Sequence, residues 1–273
     1  MRRSGAMLTV PLVLLAVLSA CRPDEIELAY KYADPGGETR YVMDARATAR
    51  WNIGEPGNGS YHVRFEVREE IEPRADGSAV VSVTMTPVEV EEDNLLSPGS
   101  EERSFILVLG PNGEKLDVLQ VDGVPATALD DDELALIGTF RPPLPLEAVG
   151  LGDTWDAQQQ LSVGSVFQDI ATEGVLEGLR RDDAGHRVAE LSYAGDGLVS
   201  QTLRLPQGTA ALEGTTRIEI DADLDIDDGV LLRVSSVTAG TFDARVVPQG
   251  EDAPIVGAVD LELELALHRV TRS

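Results

Sequence analysis

Alternating carboxylates are the first feature of this chain that could do chemistry. Asp221, Asp223, Asp225 and Asp227 recur at every second position and run into Asp228-Gly229, which invites a calcium reading. The register fails as an EF-hand loop. Counted from Asp223, Asp228 stands where the loop needs Gly, and Val234 stands where it needs its closing Glu. Alternate residues of a strand lie about 6.6–7 Å apart, so these side chains hold cations loosely at best and cannot wrap one ion. They read as the solvated face of a strand, and no metal site is expected. His62, His186 and His268 are the next candidates. By strand parity His62 and His268 point outward among charged neighbours, and His186 flanks a turn. A histidine base also needs a nucleophile, yet there is no G-x-S-x-G elbow. H-E-x-x-H and P-loop motifs are absent too, and Gly150-Leu151-Gly152 meets Trp155 where a dinucleotide fingerprint needs its third Gly. No catalytic residue and no cofactor is expected, and the chain reads as a non-enzyme. A hydrolase built on paired carboxylates stays open as a third reading, because 48 acids give many chances for two to meet in a cleft.

The elements that must position such groups are constrained by composition. The 273 residues carry 22 Lys and Arg against 48 Asp and Glu, a formal charge of −26. That balance excludes nucleic acid as a partner, since phosphate contacts need basic side chains to displace counterions. A hydrophobic content of 42% supports a packed core and excludes an acidic disordered tail. One Cys makes neither an intramolecular disulfide nor a thiolate zinc cage.

That Cys has a context of its own. Arg2 and Arg3 precede an apolar run, Ala6 to Val17, broken only by Thr9 and Pro11 and too short to span a bilayer. Leu18-Ser19-Ala20-Cys21 follows, and with its upstream context it resembles the lipobox of bacterial lipoproteins. The resemblance implies that residues 1–20 are a signal peptide and that Cys21 becomes an acylated N-terminus, several acyl chains giving the stable anchor that one does not. Loss of Arg2 and Arg3 with the leader would take the formal charge from −26 to −28. Arg22 in place of Asp after the Cys leans towards the outer membrane where the organism has one. The alternative is an ordinary secretory signal with a coincidental Cys. Residues 21–25 read as lipidated Cys and tether, spanning roughly 13 Å at about 3.3 Å per residue, so the body would sit close to its membrane.

From Ile26 to the end the dominant period is two. Tyr61, Val63, Phe65, Val67 and Ile71 alternate with charged residues, as do Ile218 and Ile220, and Val259 to Leu267. Asp76-Gly77, Asn112-Gly113, Asp183-Ala184-Gly185 and Asp228-Gly229 read as hairpin turns. The fold class is all-β: an antiparallel sheet, barrel or half-barrel, with a sandwich as the alternative. Asp131 to Thr139 reads as a short helix stopped by Pro142, Pro143 and Pro145, and Ser165 to Glu173 as a second. Gly37-Glu38-Thr39 recurs as Gly152-Asp153-Thr154, and the turns recur at similar offsets. Residues 26–273 therefore read as one β-rich domain with two tandem meanders, 26–125 and 146–271, joined by a connector at 126–145. The halves are expected to share a continuous sheet.

One strand face carries large residues at both ends and alanines between: Tyr41, Met43, Ala45, Ala47, Ala49 and Trp51, followed by Ile53. Small inward side chains leave volume that must be filled. Close packing against the helix or a facing sheet would fill it, and so would an apolar ligand. The size, lipobox and strand content are similar to membrane-anchored lipid carriers of the LolA and LppX/LprG kind. That resemblance implies a half-barrel closed by helices over an apolar cavity, and it carries over no binding residues. The expected function is a non-catalytic, membrane-anchored binding module for an apolar ligand or an envelope protein partner. A structural or assembly lipoprotein without a cavity is the alternative.

Overall fold

The computed structural model describes residues 25–270, less 33–37, 96–100, 131–133, 135–136, 164–165, 206–207 and 250–252. The expected signal peptide and Cys21 lie outside the described residues, as does most of the expected first helix. Twelve strands follow one another: β1 (Glu38–Ile53), β2 (Glu55–Pro73), β3 (Ala79–Asp93), β4 (Arg103–Leu109), β5 (Lys115–Val121) and β6 (Val124–Pro125), then β7 (Thr154–Val163), β8 (Val166–Arg181), β9 (Arg187–Leu205), β10 (Gly208–Asp225), β11 (Val230–Pro248) and β12 (Ile255–Arg269). All belong to one antiparallel sheet, ordered β6-β5-β4-β3-β2-β1-β12-β11-β10-β9-β8-β7. Each half is a six-stranded meander, and the first strand of one pairs with the last of the other, from Tyr41 opposite Arg269 to Ile53 opposite Gly257. The sheet is not closed. Its edges are β7 and the two-residue, Pro-ending β6, an arrangement that fits a half-barrel.

The alternation works as the parity argument requires. On β2, Val63, Phe65 and Val67 are buried while Glu66, Arg68 and Glu70 are exposed. Cross-strand partners share a face, so the inward residues of the two halves meet in one core. Tyr41, Val67, Val81 and Leu107 lie on one side of it, and Leu176, Tyr193, Ile220 and Leu231 on the other. The Asp76-Gly77, Asn112-Gly113, Asp183 to Gly185 and Asp228-Gly229 turns join β2–β3, β4–β5, β8–β9 and β10–β11. Each turn of the first half thus has its counterpart at the equivalent place in the second.

Two segments close the same end of the sheet. Residues 26–32 cross the turns: Tyr30 N donates to Pro111 O at 2.8 Å and Lys31 N to Gly229 O at 3.0 Å. Gly113 and Gly229 are needed for this approach. Both have positive φ, and a Cβ would come within 2.4 Å of the Tyr30 ring at one and 2.3 Å of Lys31 N at the other. Ile26 itself opens no strand; it makes an isolated bridge with Val149.

The second segment is a strap, residues 137–149. Its prolines at 142, 143 and 145 have no N–H to satisfy, and aromatic side chains take up two of its carbonyls. Tyr30 Oη donates to Pro142 O at 3.0 Å, and Tyr193 Oη and Trp155 Nε1 donate to Pro143 O at 3.1 and 3.3 Å. A proline run can therefore lie over a core without orphaned donors.

Two helix expectations change. Of Asp131–Thr139, Leu134 is the helical residue among those described, and Ile137 to Thr139 are not helical. Over Ser165–Glu173, residues from Val166 onward belong to β8, with Ile170 opposite Gln159 on β7. Ile170, Thr172 and Leu176 are all buried on one face. Period two therefore wins there, because an edge-forming neighbour supplies the hydrogen bonds that a lone short helix lacks.

Candidate functional site

The strap stands off part of the concave face. Beneath it is an apolar cavity of about 320 Å³. Met43, Ile218, Ile220, Val234, Leu263 and Leu265 form its floor, on β1, β10, β11 and β12, and Ile137 to Phe140 with Pro142 form its roof. Its volume is about twice that of an engineered apolar cavity of about 150 Å³ that stays dry and binds benzene. It also falls within the range of small-molecule pockets, about 300–1,000 Å³. On the other side of the strap, against edge strand β7, opens a more polar cleft of about 950 Å³. Thr139 and Gln159 line both spaces.

The strap is held down by a buried ion pair. Arg141 Nη1 and Nη2 donate to Glu69 Oε1 and Oε2 at 2.7 and 2.5 Å, with side-chain exposures of 5% and 0%. Burial alone would weaken the guanidinium's hold on its proton. The Glu69 carboxylate outweighs that and raises the Arg141 pKa above its ordinary range. The Tyr30 and Phe140 rings lie 5.6 and 5.7 Å from the guanidinium carbon, and burial pushes the Tyr32 phenol up to about 12. Lys115 Nζ donates to Ile137 O at the head of the strap, and partial burial lowers its pKa.

The six β1 residues read as cavity lining divide by depth. Met43 lines the cavity. Tyr41 is 1% exposed and lies under the roof, edge-on to Phe140 with ring centroids 5.8 Å apart. Ala47 and Ala49 are buried and Ala45 partly so; Ala47 pairs with Tyr61 and Leu263, and Ala49 with Gly59 and Leu261. Trp51 lies across Gly57, where a Cβ would stand 2.5 Å from its ring. The space left by the alanines is therefore bordered by Tyr61, Leu261 and Leu263 in the same sheet, and the cavity lies further along, where the strap crosses.

The acidic run is not the solvated face expected from its spacing. Asp221 and Asp227 are exposed, but Asp223 and Asp225 are 8% and 2% exposed. Asp223 pairs with Arg180 at 3.1 Å and Arg233 at 3.2 Å. Asp225 Oδ1 accepts the N–H groups of Asp227 and Asp228, and Oδ2 meets His186 Nδ1 at 2.9 Å. Asp227 takes Arg187 at 2.7 Å, and that hydrogen bond lowers its pKa. Burial was possible because each inner carboxylate found donors across the strands, which spacing along one strand cannot reveal. Asp182, His186 and Asp225 bring ligand atoms within 4.8 Å of one another, but turn amides already occupy much of that carboxylate set. His62 contacts Asp44 Oδ1 at 3.0 Å on the outer face, and His268 is exposed.

Sequence reasoning passed over Glu69, Arg141 and Gln159. Two of them broke the parity rule in plain view. Glu69 occupies an inward position between Val67 and Ile71, and Gln159 occupies the inward position after Trp155 and Ala157. Among the described residues no helix is long and apolar enough to cross a membrane. No protein-family model matches this chain, and no curated protein matches it in sequence.

Proposed function

We propose that this protein is a lipid-anchored envelope protein that binds an apolar ligand, without catalysis, in the cavity between the concave face and the strap. The observation that carries the reading is that cavity of about 320 Å³, floored by aliphatic side chains from four strands and roofed by a strap without exposed backbone donors at its prolines. An aliphatic ligand filling it would remove apolar surface from water at about 25 cal/mol per Å². The anchor rests on the lipobox-like Leu18-Ser19-Ala20-Cys21, with membrane contact through acylated Cys21 and the short tether that follows it.

Every described residue is retained in a chain beginning at Arg22. That chain, purified without added detergent and examined by native mass spectrometry, should carry a solvent-extractable aliphatic adduct. Ile218→Trp, which fills the cavity, should lose the adduct while remaining folded. A folded wild-type chain with neither an adduct nor any uptake of the apolar dye N-phenyl-1-naphthylamine would overturn the reading.

A further inference from the structure

The polar groups around the cavity narrow the class of ligand, on the reading that the cavity binds one. Gln159 is 7% exposed, and its Nε2 is buried with no hydrogen-bond partner; Tyr41 Oη is the other such side-chain atom among the described residues. Native structures keep few buried polar atoms unpaired. Gln159 also lies where the apolar cavity and the polar cleft meet, since it and Thr139 line both. A ligand whose tail fills the cavity and whose head lies in the cleft would pass Gln159, and a turn of that side chain would bring its unpaired N–H to the ligand.

The cleft sets the charge of the head. Glu114, Glu147, Asp153, Asp156 and Asp169 line it, against Lys115 and Arg141. Arg141 is committed to Glu69 and Lys115 to the Ile137 carbonyl. Glu69 cancels the Arg141 charge and Asp169 lies close enough to act on Lys115, so the cleft stays net negative and a phosphate or free carboxylate would meet like charge there.

We infer that the ligand is an acyl ester or amide with an uncharged or cationic head, its chain beneath the strap, its carbonyl oxygen accepting from Gln159, and its head in the acidic cleft. A bare alkane would leave the amide unpaired, and a fatty acid or phospholipid would bring a like charge to the acids.

Displacement of N-phenyl-1-naphthylamine from the chain beginning at Arg22 tests this with two probes of equal chain length, 1-lauroylglycerol and dodecyl phosphate. The glycerol ester should compete roughly tenfold better or more. Gln159→Leu should weaken the ester by about 3–10-fold relative to the dye measured on the same variant, the worth of one hydrogen bond to a buried donor. Gln159→Met serves if the leucine variant misfolds. Dye that binds, together with dodecyl phosphate competing as well as the ester or with ester affinity indifferent to Gln159, would overturn the ligand class while the cavity reading stands. Failure of the wild-type chain to bind the dye would instead remove the cavity reading and this inference with it.

Discussion

Removing Arg141 should cost far more than removing its partner with it. Arg141→Leu leaves Glu69 fully buried opposite an apolar side chain, the case in which breaking a buried pair costs about 3–5 kcal/mol. At about 2–4 °C per kcal/mol for a domain of this size, the thermal midpoint should fall by roughly 6–20 °C. The double variant Glu69→Leu/Arg141→Leu removes the stranded charge. It loses only the two cation–π contacts to Tyr30 and Phe140, worth about 0.5–2 kcal/mol each, and regains aliphatic packing. It should therefore recover at least half of the loss. Thermal and urea unfolding of the four proteins, followed by the fluorescence of Trp155 beneath Pro143, provides the cycle. A single variant within about 1 kcal/mol of wild type would refute the argument that this pair holds the strap. So would a double variant that falls as far as the two singles combined.

Other expectations follow from the same contacts. The Asp225 hydrogen bond and charge raise the His186 pKa above its ordinary value of about 6.5. Its pairing therefore stabilises the fold fully below about pH 6.5 and is lost as pH rises through the raised value. His186→Ala should lower the midpoint more at pH 5.5 than at pH 9; equal losses at both would contradict the assignment. Gly229→Ala puts a methyl against Lys31 at positive φ and should cost about 1–3 kcal/mol, read as a lower urea midpoint. Radiolabelled fatty acid should enter the full-length chain and be lost in Cys21→Ser; labelling that persists would place the acyl group elsewhere.

Much of the sheet was legible because strand parity and turn chemistry are local. The Asp228-Gly229 dipeptide marks a hairpin wherever it stands between two alternating runs, and it does so here. Asp122-Gly123, at φ 48° and 81°, joins β5 to β6 in the same manner and went unread beside the very short strand it serves. The stretch from Val166 to Glu173 was ambiguous for a different reason. Short apolar runs fit either period until a neighbour is known, and β7 decided it. The burial of Asp223 was beyond reach because Arg180 and Arg233 come from β8 and β11.

The sequence by itself determined which side of strands such as β2 and β12 faces water, where several of the hairpins turn, and that the body is acidic and strand-rich. These follow from side-chain period and backbone preference over a few residues. Only the tertiary structure decided that β1 pairs with β12 across most of the chain, that a proline strap covers one end of the concave face, and that Glu69 reaches an arginine 72 residues away. Tertiary structure likewise put the cavity under that strap, beyond the run of alanines. Space in a core depends on what lies opposite, and opposite neighbours are set by long-range pairing that no local pattern encodes.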